Sequence, residues 1–290
     1  MEADDALEPG LYLVATPLGN LGDLSPRARE VISRACFLAS ESSSAAGRWL
    51  QMLDPERKPR VLSYRDGSRD RDTARILELL AQGESVALIS DAGTPTISDP
   101  GWHLVDQARQ AGHPVWAIPG CCAAIVALTG AGFPSRRFRF EGFLPPSGRL
   151  RREALARLEA EEAPVVLYES PHHLLETLRD MAQYLTCRPL YLGRELTKKF
   201  EESWRGDTAS APEAWAEKRI QGEFTMVLGP RPQSDEPDTT LPKETVEFLR
   251  SLSLPSKTSA AILKHFFPSA SKKELYALFS QKPEEGTGVR

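Results

Sequence analysis

The segment from Ser90 to Gly101 concentrates the groups that could do chemistry. It holds two carboxylates, Asp91 and Asp99, among small residues and prolines, directly after the apolar run 85–89. Carboxylates can hold a cationic ligand or accept a proton. A glycine such as Gly93 lets a ligand come close to the backbone. These features predict a ligand-binding loop rather than an ordinary turn between a strand and a helix.

The elements around this segment predict where it lies. The run 85–89 has the length and composition of a buried parallel strand, and Asp99-Pro100 reads as the N-cap and first residue of a helix. Two further apolar runs, 11–15 and 115–118, also lead into loops of small residues and prolines. Open α/β sheets bind their ligands beyond the carboxyl ends of the strands. We therefore expect the loop 90–101 to lie at such an edge.

The pattern of strands and helices predicts an α/β protein with two different halves. Strands alternate with helices up to Gly132, which is typical of a parallel, helix-covered sheet. Beyond Phe133-Pro134 the strands become longer and helices fewer, which favours a mixed sheet. Within 136–143, alternation would place Phe138 and Phe140 on one face of a strand. The predicted parts are an α/β domain at 10–133, a second α/β domain at 134–229, a linker at 230–240 and a small helix-turn-helix-like module at 241–282.

Bulk properties narrow the protein class. The net charge of −4, with 41% hydrophobic and 26% charged residues, is that of an ordinary soluble protein. The acidic start of the sequence lacks the features of a signal peptide. The four cysteines follow neither a metal-site nor a disulfide-framework spacing. A cytoplasmic protein with reduced thiols and no metal site is therefore expected.

Several enzyme classes lose their main sequence support. The chain has no G-x-G-x-x-G, no Walker A glycine–lysine, no H-E-x-x-H and no G-x-S-x-G. Local basic clusters still allow contact with nucleic acid, since phosphate contacts depend on where the cations lie. The three helices predicted at 242–252, 256–266 and 271–279 are also rich in lysine, which fits RNA binding or merely solvated helix faces. The candidate phosphate contacts, with surface solubility as the alternative, are Arg136, Arg137, Arg139, Lys198 and Lys199.

Several short motifs follow one another in a characteristic order. They are Thr16–Asn20, Ser90–Pro95 with Ser98–Gly101, Pro119-Gly120, Glu141–Pro145, Tyr168–His172, Arg194–Lys198 with Phe200-Glu201, Trp204–Gly206 and Gly222–Phe224. The set resembles the tetrapyrrole-methylase-like, class III S-adenosylmethionine methyltransferases. Within them it is most similar to the ribosomal RNA small subunit methyltransferase I family, over roughly residues 11 to 229.

The resemblance implies a fold, a cofactor and a reaction. Members have two α/β domains with S-adenosylmethionine in the cleft between them, usually as homodimers. They place a 2′-O-methyl group on a cytidine ribose in the decoding region of 16S ribosomal RNA. The cofactor-binding residues expected here are Pro17, Leu18, Gly19, Asp91, Ala92, Gly93, Thr94, Pro95, Ser98, Gly120, Cys122, Ala123 and Tyr168.

A base near the ribose hydroxyl would assist this reaction, because the hydroxyl is a poor nucleophile until it loses its proton. The candidates are Asp99, Glu169 and Glu195, followed by His103 and His172. Each also has a structural alternative, such as helix capping for Asp99 or ion pairing with a neighbouring cation for Glu195.

Two alternative functions stay open. One is a methyltransferase of the same fold acting on a small molecule such as a tetrapyrrole. The other is a non-catalytic relative that binds ribosomal RNA or the ribosome. Departures from the family pattern motivate the second: Ser42–Ser44 replaces Asp-Thr-Arg, Arg65 replaces histidine, and Cys121-Cys122 replaces proline–serine.

Overall fold

The computed structural model describes residues 7–232, 243–252, 254–267 and 270–280. The chain folds as two compact units, of which the first ends at Arg231 and the second begins at Pro232. Within the described ranges, no helix combines the length and the apolar character needed to cross a lipid bilayer.

A fully parallel sheet forms the first half of the first unit. Its strands, in the order β3-β2-β4-β1-β5, are β1 (Gly10–Val14), β2 (Phe37–Ser40), β3 (Arg60–Ser63), β4 (Ser85–Ile89) and β5 (Val115–Ile118). The associated helices are α1 (Pro26–Arg34), α2 (Ser43–Leu53), α3 (Arg69–Ala81), α4 (Trp102–Gln110) and α5 (Ala123–Ala131). The prediction of a parallel, helix-covered sheet is confirmed.

Strand alternation builds a core on each face of this sheet. In β1, Leu11 packs with residues of α3 and α4, whereas Tyr12 and Val14 pack with residues of α1 and α2. Successive side chains of a strand point to opposite faces. Both faces of β4 are buried as well, and residues 86–89 are all apolar, as a central parallel strand requires.

The second half of the first unit is a mixed sheet, as predicted. Its strands, in the order β6-β7-β10-β8-β9, are β6 (Arg139–Phe143), β7 (Val165–Glu169), β8 (Pro189–Arg194), β9 (Glu202–Asp207) and β10 (Phe224–Leu228). Only β6 and β7 pair in parallel. One face of the sheet packs against α6 (Gly148–Ala160), α7 (Leu174–Tyr184) and α8 (Ala211–Ala216).

Helix α5 covers the other face of the second sheet. Its small residues Ala124, Ala127 and Ala131 pack with Val166 and Val227 in one buried cluster. Because alanine side chains are short, the helix backbone lies close to the sheet. The loop that precedes α5 is thereby fixed against β7.

The structure corrects two local predictions. Helix α4 begins at Trp102 with Gly101 as its N-cap, so Asp99-Pro100 does not cap it. The preceding loop takes left-handed conformations at Thr96 (φ 75°) and Ser98 (φ 64°), which delay the start of the helix.

The second correction concerns residues 136–143. Strand β6 begins only at Arg139, and its register shifts between Phe140 and Gly142. Phe138 therefore lies outside the strand, and the predicted shared face with Phe140 is wrong. Gly142, with φ 70°, accommodates the irregularity.

The second unit contains the three short helices expected from the sequence. They are α9 (Lys243–Ser251), α10 (Ser256–Phe266) and α11 (Lys272–Ser280), packed around Leu249, Leu263 and Leu275. Most of the predicted linker, 230–240, lies outside the described residues, and the domain boundary near residue 134 stays a prediction.

Candidate functional site

Three loops meet at the carboxyl edge of the first sheet. Strand β1 lies between β4 and β5, so the chain crosses β1 when it passes from β4 to β5. A crevice forms at the carboxyl ends of the strands where the order of the strands reverses in this way. The loops that follow β1, β4 and β5 are therefore neighbours in this crevice.

Hydrogen bonds join these loops to one another. The Thr16 N–H donates to the Gly93 carbonyl (2.8 Å), and the Gly93 N–H donates to the Thr16 carbonyl (2.9 Å). The Thr94 hydroxyl donates to the Cys121 carbonyl (2.7 Å). Gly93 has φ 84°, and a Cβ there would lie 3.3 Å from a methyl carbon of Leu18. The site thus needs glycine at this position.

A cavity of about 380 Å³ opens between these loops and the edge of the second sheet. Its volume falls in the range of about 300–1,000 Å³ typical of small-molecule sites. The predicted cofactor residues that line it are Leu18, Asp91, Ala92, Gly93, Thr94, Ser98, Cys122, Ala123 and Tyr168. Two of the predicted bases, Asp99 and Glu169, line it as well.

Four predicted cofactor residues lie outside this lining. Pro17 and Pro95 are buried in their loops. A Cβ on Gly120 would lie 2.7 Å from the Cβ of Ala15, and a Cβ on Gly19 would collide with the side chain of Lys198. These residues allow the loops to pack closely.

Tyr168 forms an aromatic wall of the cavity. Its hydroxyl accepts a hydrogen bond from the Ala124 N–H (3.2 Å), and its ring contacts the edges of Phe140 and Phe143 at centroid distances of 5.1 and 5.7 Å. Burial is the main cause that raises the pKa of Tyr168, and the neighbouring Cys122 adds to it. The phenol therefore stays neutral.

Among the carboxyl groups that line the cavity, Asp99 has the pKa that this environment shifts most. Burial, followed by the negative charge of Glu41, raises its pKa from 3.8 to about 6; Asp91 adds to the rise, while the Ser90 hydroxyl opposes it. A base works best when its pKa lies near the working pH. Asp99 is therefore largely ionised at neutral pH and is still able to take a proton.

Glu169 lies in a closed hydrogen-bond network instead. One carboxylate oxygen accepts the Ser170 N–H (2.7 Å), and the other accepts the Thr177 hydroxyl (2.5 Å). The Arg151 guanidinium donates to that hydroxyl (2.9 Å) and to Asp180 (2.6 Å). With both oxygens engaged, Glu169 holds the end of β7 in place.

Glu195 does not line the cavity. Its carboxylate accepts from the Lys198 ammonium and from the Glu223 N–H, both at 2.9 Å. Burial alone would raise its pKa, but these hydrogen bonds outweigh that effect and lower it. These contacts match the structural alternative for Glu195, which is ion pairing with Lys198.

The predicted phosphate-binding residues differ in their surroundings. Arg139 pairs with Glu141 at 2.6 Å, and Lys198 also pairs with Glu223 at 3.1 Å. Arg136 and Arg137 are exposed, and Lys199 lies over the ring of Phe200 at 5.6 Å. Counter-charges thus already engage two of the five residues.

Sequence reasoning missed part of the lining. The residues concerned are Ile97, Phe143, Ser170, Pro171, Gly222, Glu223, Phe224 and Thr225. Phe224 pairs in register with Glu169 across β10 and β7. The motif at 222–224 was visible in the sequence, but only this antiparallel pairing brings it to the cavity.

The cavity suits S-adenosylmethionine in size and chemistry. The bound cofactor would present a cationic sulfonium and ammonium together with a ribose and a flat base. Carboxylates attract the cations, and Asp91 and Asp99 both line the cavity. Apolar and aromatic side chains such as Leu18, Phe143 and Tyr168 can contact the base. Among the described residues, no cluster of three or more His, Cys, Asp or Glu could hold a metal ion.

Known proteins resemble this chain in sequence and in fold. The family model described as Tetrapyrrole (Corrin/Porphyrin) Methylases matches residues 10–212. The "Ribosomal RNA small subunit methyltransferase I" of Synechocystis is 43% identical, over 78% of this chain and 81% of its own length. The protein of the same name from Escherichia coli O157:H7 is 39% identical, over 90% of this chain and 91% of its own length.

A solved structure supports the same fold. The uroporphyrin-III C-methyl transferase from Thermus thermophilus, complexed with S-adenosyl homocysteine, superposes with a TM-score of 0.52 at 14% identity. The match covers 75% of this chain and 96% of that one.

Proposed function

The chain belongs to the ribosomal RNA small subunit methyltransferase I family of tetrapyrrole methylases, and from this premise we propose that it transfers a methyl group from S-adenosylmethionine to small-subunit ribosomal RNA. The acceptor in this proposal is the 2′-hydroxyl of a cytidine in the decoding region of 16S RNA. The observation that carries it is Asp99, a half-buried carboxyl with a pKa of about 6 in a cavity of cofactor size.

The proposed reaction is a direct displacement. The cofactor supplies an electrophilic methyl group. The ribose oxygen forms a bond to the methyl carbon as the bond from sulfur to that carbon breaks, and the hydroxyl proton passes to Asp99. Asp91 holds the cationic part of the cofactor, and Tyr168 with Phe143 excludes water. Alignment and desolvation of this kind supply most of the acceleration in such transfers.

Asp91 gives the first prediction of this proposal. We expect Asp91→Asn to weaken binding of S-adenosylhomocysteine by roughly ten- to a hundred-fold, because a charge-assisted hydrogen bond contributes about 1.5–3 kcal/mol. The melting temperature should stay within a degree or two, since Asp91 is exposed. Calorimetric titration beside a thermal melt measures both. Unchanged affinity would mean that Asp91 does not hold the cofactor.

The pKa of Asp99 gives the second. A base must be unprotonated, so kcat/KM should rise with pH through about 6, the pKa of Asp99 in the free protein. Below pH 6, kcat/KM should fall about ten-fold for each pH unit. Initial rates between pH 5 and 8.5, with cofactor and subunits both well below their KM values, measure the profile. A flat profile across this window would contradict the role of Asp99.

Transfer of labelled methyl to purified small ribosomal subunits tests the proposed substrate class. We expect incorporation into 16S RNA and none into a tetrapyrrole such as uroporphyrinogen. Incorporation into the tetrapyrrole alone would identify a small-molecule enzyme of the same fold. Cofactor binding without any transfer would favour the non-catalytic relative.

The remaining parts of the proposal rest on family membership. We infer a homodimer in the cytoplasm, with the exposed Arg136, Arg137 and Lys199 contacting RNA phosphates beside Arg139 and Lys198. Sedimentation at micromolar concentration tests the dimer; a single species of the 32.0 kDa chain would contradict it.

A further inference from the structure

A second pocket adjoins the candidate cofactor cavity. It has a volume of about 530 Å³ and is lined by Leu21, Arg48, Trp49, Gln51, Met52 and Asp91. Asp91 also lines the cofactor cavity, so the two spaces share this residue.

Helix α2 supplies most of this pocket. Residues three and four apart lie on one face of a helix, so Arg48, Gln51 and Met52 form a continuous exposed face. Ser42 caps the helix by accepting a hydrogen bond from the Ala45 N–H. Trp49 is only 8% exposed and packs into the core, which fixes the position of this face.

The chemistry of the pocket is mixed. Leu21 is 58% and Met52 is 40% exposed, so the pocket has an apolar wall in contact with water. Gln51 offers a hydrogen-bond donor and acceptor. Among the described residues, Arg48 has neither an ion pair nor a hydrogen bond. These groups fit the parts of a nucleotide. The Arg48 cation fits a phosphate, the Gln51 amide fits the edge of a base, and the apolar wall fits the face of the base.

We propose that this pocket binds one nucleotide of the RNA substrate, adjacent to the nucleotide that is methylated. The inference rests on the proposed function, because the RNA that brings a ribose to Asp99 must leave the cavity over neighbouring surface. Single-stranded RNA is recognised through splayed bases packed on side chains, together with phosphate contacts. Arg48 contacts the phosphate, and Leu21 and Met52 pack against the base.

The test compares Arg48→Gln with Arg109→Gln, a matched control on the exposed end of α4. With small ribosomal subunits as substrate, we expect Arg48→Gln to raise KM roughly ten-fold, as for one lost charged contact. The negative slope of log affinity against log salt concentration should become shallower by about 0.7, the value for one lost phosphate contact. Binding of S-adenosylhomocysteine and the melting temperature should not change. Arg109→Gln should match the unchanged protein throughout.

A second variant separates the base contact from the phosphate contact. Met52→Ala should raise KM by a smaller factor and leave the salt slope unchanged. An unchanged KM for Arg48→Gln would overturn the inference, as would weaker binding of S-adenosylhomocysteine, which would assign the pocket to the cofactor.

Retention of small subunits on filters distinguishes this inference from the proposed function, because it needs no turnover. Normal subunit binding by Arg48→Gln would overturn the inference. Reduced binding by this variant, without methyl transfer by the unchanged protein, would support the subsite and refute the function.

Discussion

Asp99→Asn is expected to lower kcat by about 10²–10⁴, the usual contribution of a general base. The amide keeps the shape of the side chain but cannot take the ribose proton. Binding of S-adenosylhomocysteine should change far less than kcat, since Asp91 remains. Single-turnover methylation of small subunits beside calorimetry measures both quantities.

The same substitution has a predicted effect on stability. Because folding raises the pKa of Asp99 to about 6, the folded state binds more protons than the unfolded state between pH 4 and 6. The free energy of unfolding contributed by Asp99 is thus present at low pH and lost as the pH rises through 6. At pH 8, Asp99→Asn should melt no lower than the unchanged protein. Asp106→Asn, on the exposed surface of α4, should change neither rate nor melting.

Glu169→Gln should act on stability instead of chemistry. Both carboxylate oxygens of Glu169 accept hydrogen bonds. In the Gln variant an NH2 group replaces one of these oxygens, so either the Ser170 N–H or the Thr177 hydroxyl would face a second donor in place of its acceptor. An unsatisfied buried group in a charged network costs about 3 kcal/mol. For a unit of this size that is a fall of roughly 6–12 °C in melting temperature.

The control for this prediction is Glu176→Gln, an exposed carboxylate on α7, which should melt normally. Below the melting transition, Glu169→Gln should keep kcat within a few-fold. A normal melt together with a hundred-fold loss of kcat would instead identify Glu169 as the base.

The sequence was most informative where local signals suffice. Residues 86–89 are apolar because both faces of β4 are buried, and the small residues after them predict a loop. The start of α4 depended on left-handed residues at Thr96 and Ser98, which propensity does not favour. Helix α2 and strand β9 were not predicted. Strand β9 pairs with β8 at the sheet edge, and none of its six residues is buried, so its sequence lacks the apolar run that predicts a core strand.

The loops of the site could be predicted from the sequence, but the part of the cavity lining that comes from residues 222–225 could not. Asp91, Asp99 and Gly93 lie in one segment that stands out by composition. Thr225 and its neighbours reach the cavity only through antiparallel pairing of β10 with β7. The contact of Lys198 with Glu223, likewise, spans 25 residues. Charge alone could not separate Lys198 from the exposed Arg136.

The site of the methyl group on the product tests the central claim most directly. Small subunits methylated by the purified protein with isotope-labelled cofactor can be digested to nucleosides and analysed by mass spectrometry. The account predicts labelled 2′-O-methylcytidine from 16S RNA, and its loss in Asp99→Asn. Label on a nucleobase, or the same yield of 2′-O-methylcytidine from Asp99→Asn, would contradict it.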